Sequence, residues 1–207
     1  MTADASHAPI TAVILAGGEA RRMGGRDKGL VEVDGRPMIE YVLKALRPQV
    51  QALLINANRN HESYARFGVP VIADTPPGFN GPLAGMASGM RSAQTPLLVT
   101  VPCDSPFVPP DLVRRLAEAM QKSNAEIAVA HNGERMQPVF SLLDTRLLNS
   151  LEAFLGRGER KIDLWFGEQR TTVVDFSDRP ETFINVNTPE EVTRTEAMMR
   201  AGQLNET

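Results

Sequence analysis

The chain has 207 residues, 42% apolar and 23% charged, with a formal net charge of −3. At about 150 residues per domain this is one domain with enough side chains for a full core, and no basic excess exists to draw it onto nucleic acid or a membrane surface. A single cysteine, Cys103, excludes an internal disulfide and a paired-cysteine zinc site. No uncharged apolar run approaches the roughly 18 residues that span a bilayer, and the opening MTADASHAP has neither a basic nor an apolar signal region. These features predict a cytoplasmic protein with one domain over residues 8–201 and flexible ends at 1–7 and 202–207.

In chain order, short apolar runs alternate with amphipathic stretches, the rhythm of βα units around a mostly parallel sheet. Ile10 to Leu15 is a continuous β-branched run of the kind buried on both faces. After Pro37, Met38, Ile39, Val42, Leu43 and Leu46 share one helical face. Residues 52–55 and 69–73 read as the next two strands, with a short helix over 61–67 between them. Residues 97–101 read as another buried strand, and Pro109-Pro110 opens a helix carrying Leu112, Val113, Leu116, Ala117 and Met120. Residues 126–130 and 136–142 flank Asn132-Gly133, a dipeptide that readily adopts the positive φ angles of a tight hairpin. A helix over 145–155, a segment with Trp165 and Phe166, and short strands over 171–176 and 183–186 follow. Thr188-Pro189-Glu190-Glu191 then caps a last helix, with the carboxylate three residues after the threonine. There is no internal repeat. From Pro76 to Gly89 seven of fourteen residues are Gly or Pro, against roughly 12% on average, and this stretch reads either as a functional loop or as a surface Ω-loop.

The strongest chemical signal is LAGGEARRMGGRDKG, residues 15–29, placed directly after the first strand. Open α/β sheets bind ligands at that end. Gly17, Gly18, Gly24 and Gly25 let backbone N–H groups approach a phosphate, while Arg21, Arg22, Arg26 and Lys28 supply charge to neutralise a triphosphate. The bland alternative is a solvated basic loop. The spacing fits neither a Walker loop nor a dinucleotide fingerprint. Asp104, in Pro102-Cys103-Asp104-Ser105-Pro106, ends a buried strand and needs a partner or a metal there. It suits Mg²⁺, which takes one or two carboxylates with substrate phosphates, and it equally suits a turn or cap before Pro106. Asn56 and Asp74 end neighbouring strands. A carboxylate can accept from the N1–H and N2–H pair of guanine, or either residue can cap a turn. Asn185 and Asn187 alternate with Ile184 and Val186, so on a strand both amides would face one side. His7, His61 and His131 are scattered without metal spacing, and Cys103 reads as a small core residue.

Taken together, these residues resemble the molybdenum cofactor guanylyltransferase family. The resemblance rests on residues 15–29 and runs on through Ile55-Asn56-Ala57-Asn58-Arg59, Ile72-Ala73-Asp74, Gly81-Pro82-Leu83-Ala84-Gly85, Pro102-Cys103-Asp104-Ser105-Pro106 and Asn185-Val186-Asn187-Thr188-Pro189-Glu190. It implies a three-layer α/β sandwich, with a Rossmann-like, mostly parallel sheet and a hairpin extension. It also implies a reaction in which the terminal phosphate of molybdenum-bearing molybdopterin attacks GTP and pyrophosphate leaves. Carried over by position, Leu15, Ala16, Gly17, Gly18, Lys28, Asn56, Asp74 and Asp104 would contact GTP. Asp104 would bind Mg²⁺, Arg22, Lys28 and Asp104 would be catalytic, and Asn185 and Asn187 would lie at the molybdopterin side. Molybdenum-insertion proteins and molybdoenzyme chaperones are the implied partners. A phosphate attacker is already ionised at neutral pH, so no general base is needed; in-line placement and charge neutralisation suffice. Two positions depart from the family pattern: Ala20, where many members have serine, and Gln137, where a histidine or basic residue is common. The alternatives are a cytidylyltransferase acting on the same cofactor, against which Gly17-Gly18 and residues 81–85 speak, a sugar-phosphate nucleotidyltransferase, and a non-catalytic nucleotide-binding module.

Overall fold

A computed structural model describes residues 8–18, 27–75 and 81–205, with side chains as far as Gly202. The chain opens with β1 (Ile10–Leu15), a 3-10 turn at Lys28–Leu30, β2 (Glu32–Val33), β3 (Arg36–Pro37) and α1 (Met38–Leu46). It continues through β4 (Ala52–Asn56), α2 (His61–Ala65), β5 (Val71–Ile72), α3 (Pro82–Ser92), β6 (Leu97–Pro102) and α4 (Leu112–Ser123). The last part holds β7 (Ile127–His131), β8 (Met136–Asp144), α5 (Leu148–Gly156), α6 (Ile162–Gly167), β9 (Thr171–Asp175) and α7 (Pro189–Asn205). Helix α7 thus runs past Gly202, where the sequence reading ends the domain.

Seven strands form one sheet in the order β5-β4-β1-β6-β8-β7-β9, and β8 alone runs against the others. The β7–β8 hairpin extends the parallel part of the sheet, and β9 closes the far edge by pairing with β7. Alternate residues of β1 enter two different cores, which is why its sequence is apolar throughout. Ala12 and Ile14 pack with α1 and α4; Val13 packs on the opposite face with α3, α5 and α6. The three-layer, mostly parallel α/β sandwich expected from the sequence therefore forms. Among the described residues no helix is long and apolar enough to cross a membrane.

Three local expectations are corrected, and one hairpin is added. In the β7–β8 connection only Gly133 has positive φ (93°). Asn132 instead accepts the backbone N–H groups of Glu134 and Arg135 on its Oδ1 at 3.1 and 2.9 Å, so the turn is closed by a side chain. Residues 183–186 form no strand. Pro180–Phe183 is a 3-10 turn whose N–H groups bond locally; Phe183 packs edge-on against Phe140 of β8, and the Val186 N–H donates to Asp104 O at 2.9 Å. The second half of the Gly/Pro-rich stretch is helix α3, not loop: Pro82 suits its first turn. Residues 76–80 lie outside the described residues. The β2–β3 hairpin was absent from the sequence reading; Asp34 and Gly35 (φ 50° and 73°) form a two-residue turn of the kind Asp-Gly favours.

Helix α3 lies close against the sheet because Gly89 carries no side chain. A Cβ there would sit 3.0 Å from both Leu98 Cδ2 and Val13 Cγ1. Gly89→Val therefore overpacks this interface and should lower unfolding free energy by about 1–3 kcal/mol, read from the urea midpoint. A midpoint unchanged from wild type would contradict the close packing.

Candidate active site

The chain leaves β1 toward β4 and β5 on one side and returns to β6 on the other. This reversal of strand order creates the crevice in which open α/β sheets bind ligands. A cavity of about 610 Å³ opens there, within the range of ligand pockets. Leu15, Ala16, Gly17 and Gly18 line it at the end of β1, Asn56 at the end of β4, and Asp104 beyond β6. Gln137 and Pro138 of β8 also line it, beyond an irregularity of register in the hairpin.

Lys28 stands at the centre of the polar contacts. Its Nζ donates to Asp104 Oδ2 at 2.8 Å and also to Asn187 Oδ1. The backbone holds both partners in place. Asp104 O accepts from Val186 N–H, and Ser105 Oγ donates to Asn185 Oδ1 at 2.6 Å. Just downstream, Glu191 Oε2 accepts the N–H groups of Asn187 and Thr188 at 2.6 and 3.0 Å, while Thr188 Oγ1 accepts Glu191 N–H at 3.2 Å. This is the capping box expected for the last helix, and it fixes the residue that reaches Lys28. Asn185 and Asn187 thus both reach the site, though from an irregular segment and not from one face of a strand.

Asn56 and Asp74 meet on the other side of the cavity. Asn56 Nδ2 donates to Asp74 Oδ1 at 3.0 Å, and Asn58 Nδ2 donates to Oδ2 at 2.8 Å. Glycines make room for these amides: a Cβ on Gly85 would lie 2.5 Å from Asn56 Oδ1, and one on Gly17 would lie 3.1 Å from Asn58 Nδ2. Gly17 thus has a packing role beside the phosphate role read from the sequence.

Sequence reasoning missed the support beneath Lys28. Asp27 is buried, and its Oδ1 accepts from Tyr64 Oη at 2.9 Å. Its Oδ2 accepts from Asn60 Nδ2 at 3.1 Å and pairs with Arg59 Nε at 3.3 Å. Arg59 also donates to Gly18 O at 3.4 Å. Burial, with Cys103 and Asp27 alongside, pushes the Tyr64 phenol far up, so it remains a donor. The signal for this support was a carboxylate beside the loop lysine followed by an Asn-Arg-Asn run, residues 58–60. Cys103 is buried, and burial followed by the neighbouring Asp104 raises its thiol well above the usual range. It is a core residue, as read, and no nucleophile. His61 and His131 bond locally, to Ala57 O and Gly133 N–H. Arg22, like Ala20, Arg21, Gly24, Gly25 and Arg26, lies outside the described residues.

Among the described residues no three His, Cys, Asp or Glu side chains gather into a metal cage. Magnesium does not require one, since substrate phosphates and water complete its shell. Asp104 offers hard carboxylate oxygens at the cavity, and Lys28 engages Oδ2. This donor set fits magnesium held between the protein and a polyphosphate.

A family model described as the MobA-like NTP transferase domain matches residues 12–171. A molybdenum cofactor guanylyltransferase from Shewanella sediminis is 54% identical over 182 residues, covering 88% of this chain and 93% of its own length. One from Shewanella amazonensis is 55% identical over 183 residues, with the same shares. The crystal structure of molybdopterin-guanine dinucleotide biosynthesis protein A from Archaeoglobus fulgidus matches with a TM-score of 0.78 at 22% identity, over 92% of this chain and 99% of that one. A 4-diphosphocytidyl-2C-methyl-D-erythritol synthase from Anaerococcus prevotii matches with a TM-score of 0.74 at 15% identity, over 93% and 96%. The fold alone therefore does not select a substrate. The matched stretch takes in Lys28, Asn56, Asp74 and Asp104, and with it the chain belongs to the MobA-like NTP transferase family.

Proposed function

We propose that this nucleotidyltransferase moves GMP from GTP to the terminal phosphate of molybdenum-bearing molybdopterin, releasing pyrophosphate and forming the guanine dinucleotide cofactor. Relatives more than half identical over most of the chain carry the name of that activity. In the geometry, the observation that carries it is the 2.8 Å pairing of Lys28 with Asp104, at the switch point of the sheet. A cation and a carboxylate held together at a cavity mouth suit a polyphosphate and its counter-ion better than a neutral ligand.

The transfer needs no covalent intermediate on the protein. The attacking phosphate oxygen forms a bond to the α-phosphorus while the bond to pyrophosphate breaks, and the attacker is already ionised. The chain's task is to place the two groups in line and to neutralise charge. Leu15 to Gly18 offer backbone at the end of β1, Lys28 supplies a positive charge, and Asp104 would hold Mg²⁺. When bound, that ion neutralises charge on the phosphates and the leaving group. Asn56 and Asp74 take the base edge, and Asn185 and Asn187 take the acceptor side. Arg22 completes the proposal as a further cation toward the triphosphate. The setting is the cytoplasm, with molybdenum-insertion proteins and molybdoenzyme chaperones as partners before and after the reaction.

The deciding experiment is pyrophosphate release with Mg²⁺ and molybdenum-loaded molybdopterin, with GTP and CTP run in parallel. Release with GTP alone is expected. Release with CTP alone would overturn the base assignment, and silence with both would favour a binding module. Asp104→Ala should lower magnesium-dependent turnover by at least about 100-fold with the circular dichroism spectrum unchanged; retained turnover at an unaltered magnesium requirement would sink the metal assignment. Lys28→Ala should weaken GTP binding roughly 10–100-fold, and equal affinity in titration calorimetry would count against its phosphate role. Asp27→Ala leaves the Tyr64 hydroxyl and the Asn60 amide without this acceptor and Arg59 without its carboxylate partner. It should cost about 1–3 kcal/mol of stability and raise KM for GTP. Stability and KM at wild-type values would show that the support beneath Lys28 is dispensable.

A further inference from the structure

Asn58 lies two residues beyond β4 and does not itself line the cavity, yet it touches Asp74 twice. Its Oδ1 accepts the Asp74 backbone N–H at 2.9 Å, and its Nδ2 donates to Asp74 Oδ2 at 2.8 Å. The amide orientation is fixed by chemistry: the backbone N–H can only donate, so the oxygen must face it and the nitrogen must face the carboxylate. Asn56 holds the other carboxylate oxygen at 3.0 Å. Asp74 is 5% exposed, so its carboxylate has little freedom once both oxygens are engaged.

A carboxylate offers about four acceptor sites. Among the described residues the two amides take one on each oxygen, which leaves one on each for a ligand. That residual pair matches the adjacent N1–H and N2–H donors of guanine. We infer that Asn58 is a positioning residue for base selection, which sets the Asp74 carboxylate in the plane that accepts this donor pair. The inference rests on the proposed reading of Asp74 as the base-edge acceptor. Asn58 acts through Asp74, so its loss changes which base is held more than the rate of transfer.

Inosine triphosphate separates the possibilities, because it keeps N1–H and lacks the 2-amino group. Binding of GTP and of inosine triphosphate, each with Mg²⁺, is measured by titration calorimetry on the full chain, followed by kcat and KM for pyrophosphate release. Wild type should prefer GTP by at least about tenfold, the cost of one hydrogen bond to a charged group. Asn58→Ala should bring that ratio toward unity. GTP, which uses both donors, should lose more affinity than inosine triphosphate, and kcat at saturating GTP should stay within about threefold. Asn58→Asp provides a near-isosteric second variant, which keeps the acceptor for Asp74 N–H and replaces the donor to Oδ2 with a carboxylate oxygen that repels it. It should also lose the preference. Equal losses for both nucleotides, with the ratio preserved, would reduce Asn58 to a structural tie and overturn the inference while leaving the Asp74 reading intact. Equal wild-type affinities would overturn the Asp74 reading, and the inference with it.

Discussion

Three separate stretches of chain converge on the ammonium group of Lys28: the turn that bears it, Asp104 beyond β6, and Asn187 ahead of α7. A lysine is a compact, strongly hydrated charge on a flexible stem, and here Asp104 and Asn187 restrain its ammonium group while the side chain stays partly exposed. Asp27 anchors the turn from beneath, the capping box of α7 fixes Asn187, and the Val186 N–H ties Asp104 to that same segment. Moving any one of these shifts the charge relative to the cavity. The hydrophobic layers on both faces of the sheet hold the strand ends in register, so the polar contacts close at a fixed place.

The opposite side of the cavity depends on close approach. Gly17 and Gly85 leave space for the amides of Asn56 and Asn58, and Gly89, one turn further along α3, lets that helix rest on Val13 and Leu98. The same helix therefore serves the core with its Leu83, Met86 and Met90 faces and the Asn56–Asp74 side of the cavity with Gly85. Stability and recognition share one interface there. A polar network that is fully satisfied is rigid, and a partly satisfied one is costly, which is why Asp74 sits among amide donors and not among apolar side chains.

Much of this was legible in the chain itself. The unbroken apolar run of β1 announced a strand covered on both faces, and the residues ending β1, β4 and β6 were placed correctly on one rim of the sheet. What escaped was of two kinds. Asp27 looked like a loop neighbour of Lys28, because nothing local shows that Tyr64, 37 positions away, donates to it. The α3 segment looked like a loop because glycine and proline weaken a helix on intrinsic grounds. Tertiary packing reverses that judgement when proline falls in the first turn and the glycines face a crowded sheet. Asn185 and Asn187 do come to the cavity and to Lys28, but not as read: their alternation suggested a strand, whereas Pro180 and the local turn precede an irregular segment.

In the proposed reaction the nucleotide side and the acceptor side of the site meet at Lys28, which binds both Asp104 and Asn187. A double-mutant cycle with Lys28→Met and Asn187→Ala tests it most directly, read as kcat/KM for pyrophosphate release at subsaturating molybdopterin. Direct contact predicts that the loss in the double variant falls short of the sum of the two single losses by about 0.5–3 kcal/mol. Additivity to within about 0.3–0.5 kcal/mol would mean that the residues act independently, and would contradict the claim.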